Sequence, residues 1–373
     1  MGIITRSIAN NIVTSGKLDG TDGLNGVIPA SNIANVSLNN VTALSASLGD
    51  AIESVATDPV SPSEGQLWYN TTIGVLKVYK SLGGVWAAGG NMNTTRTTAG
   101  LAGTQTSAIA AGGFAPGPSS ATELYNGTSW TSNPTGLGTA RYELSALGTQ
   151  TAALAVGGYT TGAPPIVATV ESWNGTSWSP SPSMNITKAD AGTAGIQTAG
   201  LTFGGANPTG ILSATESWNG TSWTTVNSMN TARSYLAGCG IQTSALAFGG
   251  YVPPVTTSTA ATESWNGTSW TSVNSLNTAR RALGGAGALN TAAVAFGGNT
   301  TTVTTTATEE WDGTSWTTNP NSMGNSQQNM RGTGTQSAAL SATGRAGPPT
   351  FTLSNATEEY TDPTLAVRKV TLT

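Results

Sequence analysis

Short apolar runs alternate with polar turns along residues 95 to 360, and the alternation itself repeats. In one representative unit a cation (Arg141) is followed by a Gly/Ala-rich stretch, the turn Gly148-Thr149-Gln150-Thr151, and the apolar run Ala153 to Val156 ending in Gly157-Gly158. A Pro/Thr-rich loop of variable length comes next, and then Glu171-Ser172-Trp173-Asn174-Gly175-Thr176-Ser177-Trp178. Brief apolar or β-branched runs bounded by turn residues predict strands, four to each unit. The second Trp of successive units falls at 130, 178, 223, 270 and 316, at intervals of 48, 45, 47 and 46 residues. A fixed period of that size is the mark of propeller blades or solenoid repeats.

Within each unit, Asn-Gly reads as a two-residue type I′ hairpin turn, the pair best suited to positive φ at both central positions. With Asn174-Gly175 as that turn, Trp173 opposes Thr176 and Glu171 opposes Trp178, all on one face. Trp130, Trp178, Trp223, Trp270 and Trp316 then supply sheet-to-sheet packing. Glu123, Glu171, Glu216, Glu263 and Glu309 share that face, and a buried carboxylate needs a partner. The repeat supplies one cation per unit: Arg96, Arg141, Lys188, Arg233, Arg280 and Arg331. Each Glu is therefore expected to accept hydrogen bonds from a repeat cation or from nearby backbone.

The last unit departs from the pattern. Ala342-Thr343-Gly344 replaces the Gly pair, Tyr360 the first Trp, and no Trp strand follows Asp362-Pro363. Trp86 stands 44 residues before Trp130 and keeps the period without earlier strands beside it. The strand around Val85 to Ala88 is thus expected to complete the sheet of Gln336 to Tyr360 and leave no free edge. Ala366 to Thr373 competes for that slot. A seventh blade from Gln66 to Tyr79 plus the C-terminus is the alternative to six.

Upstream the pattern changes. Val41, Leu44, Leu48, Ala51 and Val55 follow 3-4-3-4 spacing, which predicts a short helix or coiled coil over 41–55. Residues 58 to 65 read as a linker, and Gln66 to Asn70 with Val75 to Tyr79 as a hairpin around Gly74. The expected organisation is an attachment and oligomerisation segment (1–60), a linker and hairpin (61–84), a propeller (85–364) and a C-terminal strand (365–373).

Composition narrows the chemistry. The 373 residues carry 14 cations, 18 acids and no His. That removes Ser-His-Asp catalysis and His-containing metal sites. Scattered cations and a net charge of −4 give no phosphate-binding stripe, so no nucleic-acid partner is expected. No stretch has the length and apolarity of a membrane span. The single Cys239 reads as a small buried residue, and no catalytic, cofactor or metal residue is assigned. Four Asn-Gly-Thr copies are formal glycosylation sequons. The fifth copy, Asp312-Gly313-Thr314, keeps the turn and loses the sequon, so turn chemistry explains the motif better. A hydrolytic reading would need two convergent carboxylates outside the repeat, around Glu143 or Asp190. The variable loops after the Gly pairs, with Phe114, Tyr159, Tyr251 and Phe351, are the candidate binding surface, since binding tends to reside on loops held by a rigid scaffold.

A Gly pair, a downstream Glu-x-aromatic, a following Trp, then Met or Leu and Arg resemble the kelch repeat over roughly residues 85 to 360. That resemblance implies an all-β, six-bladed kelch-like β-propeller, here with an N-terminal extension containing a short helix. Gly65-Gln66-Leu67-Trp68-Tyr69-Asn70 with Leu76-Lys77-Val78-Tyr79 and Gly84-Val85-Trp86 resembles a module of bacteriophage tail-fibre and other virion proteins. It implies a structural virion appendage on tail, neck or baseplate. Residues 1–60 would anchor it to other virion proteins as a homo-oligomer, trimeric by preference, and the propeller would face a host-surface glycan. A free lectin-like propeller is the alternative, and a polysaccharide-active enzyme the third.

Overall fold

A computed structural model describes residues 52–59, 66–80, 83–163, 165–253, 257–347, 351–362 and 366–369. The chain divides into two compact units, Gly83–Asp362 and a second made of Met1–Leu82 with Pro363–Thr373. Among the described residues every regular element is a strand.

In Gly83–Asp362 the repeats become six four-stranded antiparallel sheets. The first sheet comprises Gly100–Thr104, Ser107–Ala111, Thr122–Tyr125 and Trp130–Asn133 in spatial sequence. The next four repeat this meander, beginning at Ser145–Gly148, Gly192–Ile196, Ala237–Ile241 and Gly284–Leu289. The sixth begins with Arg331–Gly334, Ala338–Ala342 and Glu358–Thr361. Its outer position is filled by Val85–Ala88, with Trp86 opposite Tyr360, as the period of Trp86 predicts. The first strands neighbour one another in sequence order and the sixth returns to the first. They surround a narrow channel of about 150 Å³. These blade-like sheets are consistent with a β-propeller.

The Gly/Ala composition of the first strands follows from this crowding. A Cβ at Gly238 would lie 2.5 Å from the Phe203 ring of the preceding sheet, and Gly285 stands in the same relation to Phe248. Outward from the channel, the sheets are stapled by indole N–H groups. Trp178, Trp270, Trp316, Trp86 and Trp130 each donate Nε1 to a Thr hydroxyl on the preceding sheet: Thr122, Thr215, Thr262, Thr308 and Thr357. In the third sheet the equivalent Trp223 meets Val170 at the Thr position, and its buried Nε1 has no partner. At the other end of the strands, Gln105, Gln150, Gln197, Gln242 and Gln336 each donate to a carbonyl at the end of the neighbouring sheet's third strand.

Three expectations need correction. The Trp hairpin is not a two-residue turn. Trp173 opposes Trp178, and Asn174 to Ser177 form a four-residue loop. The reason is the Asn side chain: Asn174 Oδ1 accepts the N–H of both Thr176 and Ser177 at 2.9 Å, an Asx turn that outcompetes the I′ geometry. Glu171 and both Trp residues still share a face. Arg331 is not the sixth repeat cation either. Gln327 occupies that position, its carbonyl accepting from Gly298 as the Arg280 carbonyl accepts from Gly250. Finally, Glu53–Val55, the end of the expected helix, is a strand paired in parallel with Leu67–Asn70, where backbone pairing outweighs a marginal helical stripe. The rest of that stripe, like residues 1–51 as a whole, lies outside the described residues.

The second unit holds one mixed sheet, in which the expected hairpin Leu67–Asn70 and Val75–Lys80 joins Glu53–Val55 and Ala366–Lys369. The C-terminal strand thus pairs here rather than in the sixth sheet. Asp58 ties this unit together through Lys77 at 2.6 Å, Asn70 at 2.9 Å and Trp68 at 3.0 Å. Those hydrogen bonds, Lys77 first, hold its carboxyl down to about 2.

Candidate functional site

The repeat Glu and cation residues meet inside the sheets. Arg96–Glu123, Arg141–Glu171, Lys188–Glu216, Arg233–Glu263 and Arg280–Glu309 are ion pairs of 2.6 to 3.2 Å with both partners buried. Arg233 also donates to the carbonyls of Gly249 and Ala261, and Glu263 accepts the N–H of Asn230 and Thr231. In the sixth sheet Glu358 accepts from the backbone of Gly324 and Asn325. Burial lowers the pKa of these cations against the pull of their carboxylates, and Lys188 falls to about 8. These groups are buried within the sheets and bonded to one another.

Two residues beyond each repeat cation the backbone does something the sequence did not announce. Thr98, Glu143, Asp190, Tyr235, Ala282 and Asn329 all adopt positive φ, between 52° and 56°. Each accepts the N–H of its counterpart on the next sheet: Glu143 donates to Thr98, Asp190 to Glu143, Tyr235 to Asp190, Ala282 to Tyr235, Asn329 to Ala282 and Thr98 to Asn329. The six hydrogen bonds close a ring at one end of the channel. Left-handed backbone costs a non-Gly residue about 1–2 kcal/mol, and the ring supplies the surroundings that hold it. No glycine marks these positions. The available signal was their fixed offset from the cation.

Above the ring, on the face carrying the variable loops, lies a cavity of about 450 Å³. Its lining includes Thr98, Glu143, Tyr235, Ala282 and Asn329 of the ring, with Phe114, Tyr142, Tyr251, Arg281 and Arg345 around the rim. The four aromatic residues singled out in the sequence gather around this mouth. Phe114 and Tyr251 line it. Tyr159 stacks on Tyr142 with ring centroids 5.3 Å apart, and Phe114 meets Tyr142 edge-on at 5.4 Å. Phe351 is exposed and lies beneath the Arg345 guanidinium at 5.1 Å. Arg281 covers Tyr251 at 5.5 Å. Sequence reasoning passed over Tyr142, Tyr235, Arg281 and Arg345, which have no equivalents in most repeats.

At the throat the ring brings together the two carboxylates that a hydrolytic reading would require. Asp190 is fully buried below the mouth, and Glu143 is its ring neighbour. Burial, then the Glu143 charge, pushes the Asp190 carboxyl well above its ordinary range, against Arg331 and Tyr235. Arg331 approaches Asp190 at 3.6 Å from the channel side. The Asp190 charge first, then burial, raises the Tyr235 phenol, and burial with both carboxylates raises Tyr142 and Tyr159. All three tyrosines therefore stay protonated as neutral hydrogen-bond donors. Among the described residues no cluster of three or more acidic, His or Cys side chains could hold a metal. Cys239 is buried in the first strand of the fourth sheet.

Gly83 and Asp362, where this unit joins the rest of the chain, both sit at the end of the sixth sheet opposite the loops. Asp362 donates there to Ser337 in the turn between the first two strands. The fold and the mouth stand on this chain's own residues, because no protein-family model and no curated protein matches it.

Proposed function

We propose that the chain is a non-catalytic binding and display protein built on a six-bladed kelch-like propeller. In this reading it is a fibre or appendage of a bacteriophage particle whose loop face engages a host-surface glycan. The observation that carries the binding role is the mouth. Phe114 of the first sheet, Tyr142 of the second, and Tyr235 and Tyr251 of the fourth line one cavity of about 450 Å³, within the range of about 300–1,000 Å³ typical of small-ligand sites. Aromatic faces with polar edges suit pyranose rings. Gly83 and Asp362, the two ends of this unit, lie at the end of the sixth sheet opposite the loops. Residues 1–60 hold the protein to other virion proteins as an oligomer.

Immunogold labelling of intact particles from the same source, with antibody against residues 95 to 360, tests the virion assignment. Label at discrete points on tail, neck or baseplate supports it. Bare particles with the protein free in solution leave the lectin-like alternative. Deleting 1–60 separates the two further, since it abolishes incorporation into particles in one case and lowers avidity alone in the other. The Glu143–Asp190 pair favours a second reading, a polysaccharide hydrolase. Turnover of a polysaccharide by the pure protein, abolished in Glu143→Gln, would establish that reading in place of the first.

A further inference from the structure

Charge in the six-sheet unit is distributed unevenly. Between Gly83 and Asp362 there are eight cations. Five are the buried repeat cations already paired with Glu. Arg331 faces the channel beside Asp190. The remaining two, Arg281 and Arg345, both line the mouth. Glu143 is the one carboxylate among the lining residues of that cavity. The acids at the opposite end, Asp312 in a strand-connecting turn and Asp362 beside Ser337, belong to the other face. A chain with a net charge of −4 thus places two of the three propeller cations that are not fully buried, Arg281 and Arg345, at its aromatic cavity.

The two guanidinium groups are also pre-positioned. Arg281 rests over Tyr251 and Arg345 over Phe351, at 5.5 and 5.1 Å. Such stacking restricts the side chain before a ligand arrives and reduces the entropy lost on binding. Arg345 Nε has no hydrogen-bond partner. A planar guanidinium offers parallel donors that match a carboxylate, which a hydroxyl-only sugar does not exploit.

We propose that the mouth recognises a carboxylate-bearing saccharide, of the uronic-acid or sialic-acid kind. Arg281 and Arg345 take the carboxylate, and Phe114, Tyr142 and Tyr251 stack on the sugar. This rests on the glycan-binding reading and names the class of glycan.

The test is calorimetric titration of the full-length protein with trigalacturonic acid and with 3′-sialyllactose, each beside a neutral counterpart, maltotriose and lactose. At least one acidic sugar should bind about tenfold or more tighter than its neutral partner. That preference should shrink as NaCl rises from about 20 to about 300 mM, because screening weakens exposed charge pairs. Arg281→Gln and Arg345→Gln should each remove the preference while leaving the thermal transition in place. Arg345→Lys, which keeps the charge and loses the fork, should fall between. Equal binding of acidic and neutral sugars, sensitive to Tyr251→Ala, would overturn the carboxylate assignment and leave the glycan reading standing. A preference surviving in both Arg variants would overturn the assignment of those residues. Failure of all four sugars to bind would overturn the carboxylate assignment together with the glycan reading on which it rests.

Discussion

Replacing Val170 by Thr should stabilise the protein, although it puts a hydroxyl into a buried site. At five of the six sheet junctions an indole Nε1 donates to a Thr hydroxyl at 2.9 to 3.0 Å. At the sixth, Trp223 Nε1 is buried beside Val170 and has no partner. A buried donor left unmade costs about 1–3 kcal/mol, and a typical hydrogen bond returns a net of about 1 kcal/mol. Val170 is 1% exposed, so exchanging a methyl for a hydroxyl loses some apolar burial, up to about 0.8 kcal/mol. The balance favours Val170→Thr by about 0.5–1.5 kcal/mol. For a cooperative unit of about 280 residues, unfolding entropy of about 2.1 cal/mol/K per residue turns that into a rise in Tm of about 1–3 °C. The mirror substitution Thr262→Val orphans Trp316 Nε1 and should cost about 1–3 kcal/mol. Scanning calorimetry and urea unfolding of both variants give the comparison. The same pair of side chains exchanged at equivalent places should act with opposite sign. If Val170→Thr destabilises, or Thr262→Val is neutral, the indole–hydroxyl staple contributes nothing and the reasoning fails.

Other outcomes follow from the same geometry. Glu263→Ala leaves the buried Arg233 without its carboxylate and Asn230 and Thr231 without an acceptor; urea unfolding should show a loss of about 3–5 kcal/mol, and the double variant Arg233→Met/Glu263→Leu a smaller one. Asp190 keeps its proton far above the usual carboxylate range, so the folded state binds more protons than the unfolded chain, and this contribution to stability is present in acid and lost as pH rises. The stability of wild type relative to Asp190→Asn should therefore fall as pH is raised from about 4; a difference that is flat or grows with pH would refute the burial argument. Burial pushes the Cys239 thiol up to about 12, so a thiol reagent near neutral pH should label it only after unfolding. Gly249 sits at φ 65° with a would-be Cβ 2.6 Å from the Arg280 carbonyl oxygen, so Gly249→Ala should lower Tm by several degrees, about 2 kcal/mol or more.

The sheets were legible because their determinants repeat. Period, Gly pairs and Trp strands gave six sheets, and the isolated Trp86 gave the strand that completes the last. The hairpin register was misjudged because Asn-Gly fits two turns. The choice depends on where Asn174 Oδ1 goes, and the two residues after the dipeptide supply its donors. Arg331 was assigned to the wrong position because residue type was weighed above spacing. It lies 51 residues after Arg280, whereas Gln327 lies 47 after and keeps the period. The mouth was only half visible. Its loop aromatics lie in segments marked by their variability, but Tyr142, Tyr235, Arg281 and Arg345 are single departures from the repeat. They converge only when the ring brings six distant positions together. The Glu143–Asp190 encounter has the same origin, since 47 residues separate them in sequence and one main-chain hydrogen bond joins them in space.

The ring has a consequence for how such a protein can change. Its closure is made by main-chain N–H and C=O groups alone, so it asks nothing of the six side chains beyond tolerance of left-handed backbone. Those side chains are Thr, Glu, Asp, Tyr, Ala and Asn, no two alike, whereas the position two residues earlier is a cation in five repeats and Gln in the sixth. Architecture and the chemistry of the throat are thereby written in different parts of the repeat. A population of such chains could exchange the throat residues one at a time without reopening the question of how the ring of sheets holds shut.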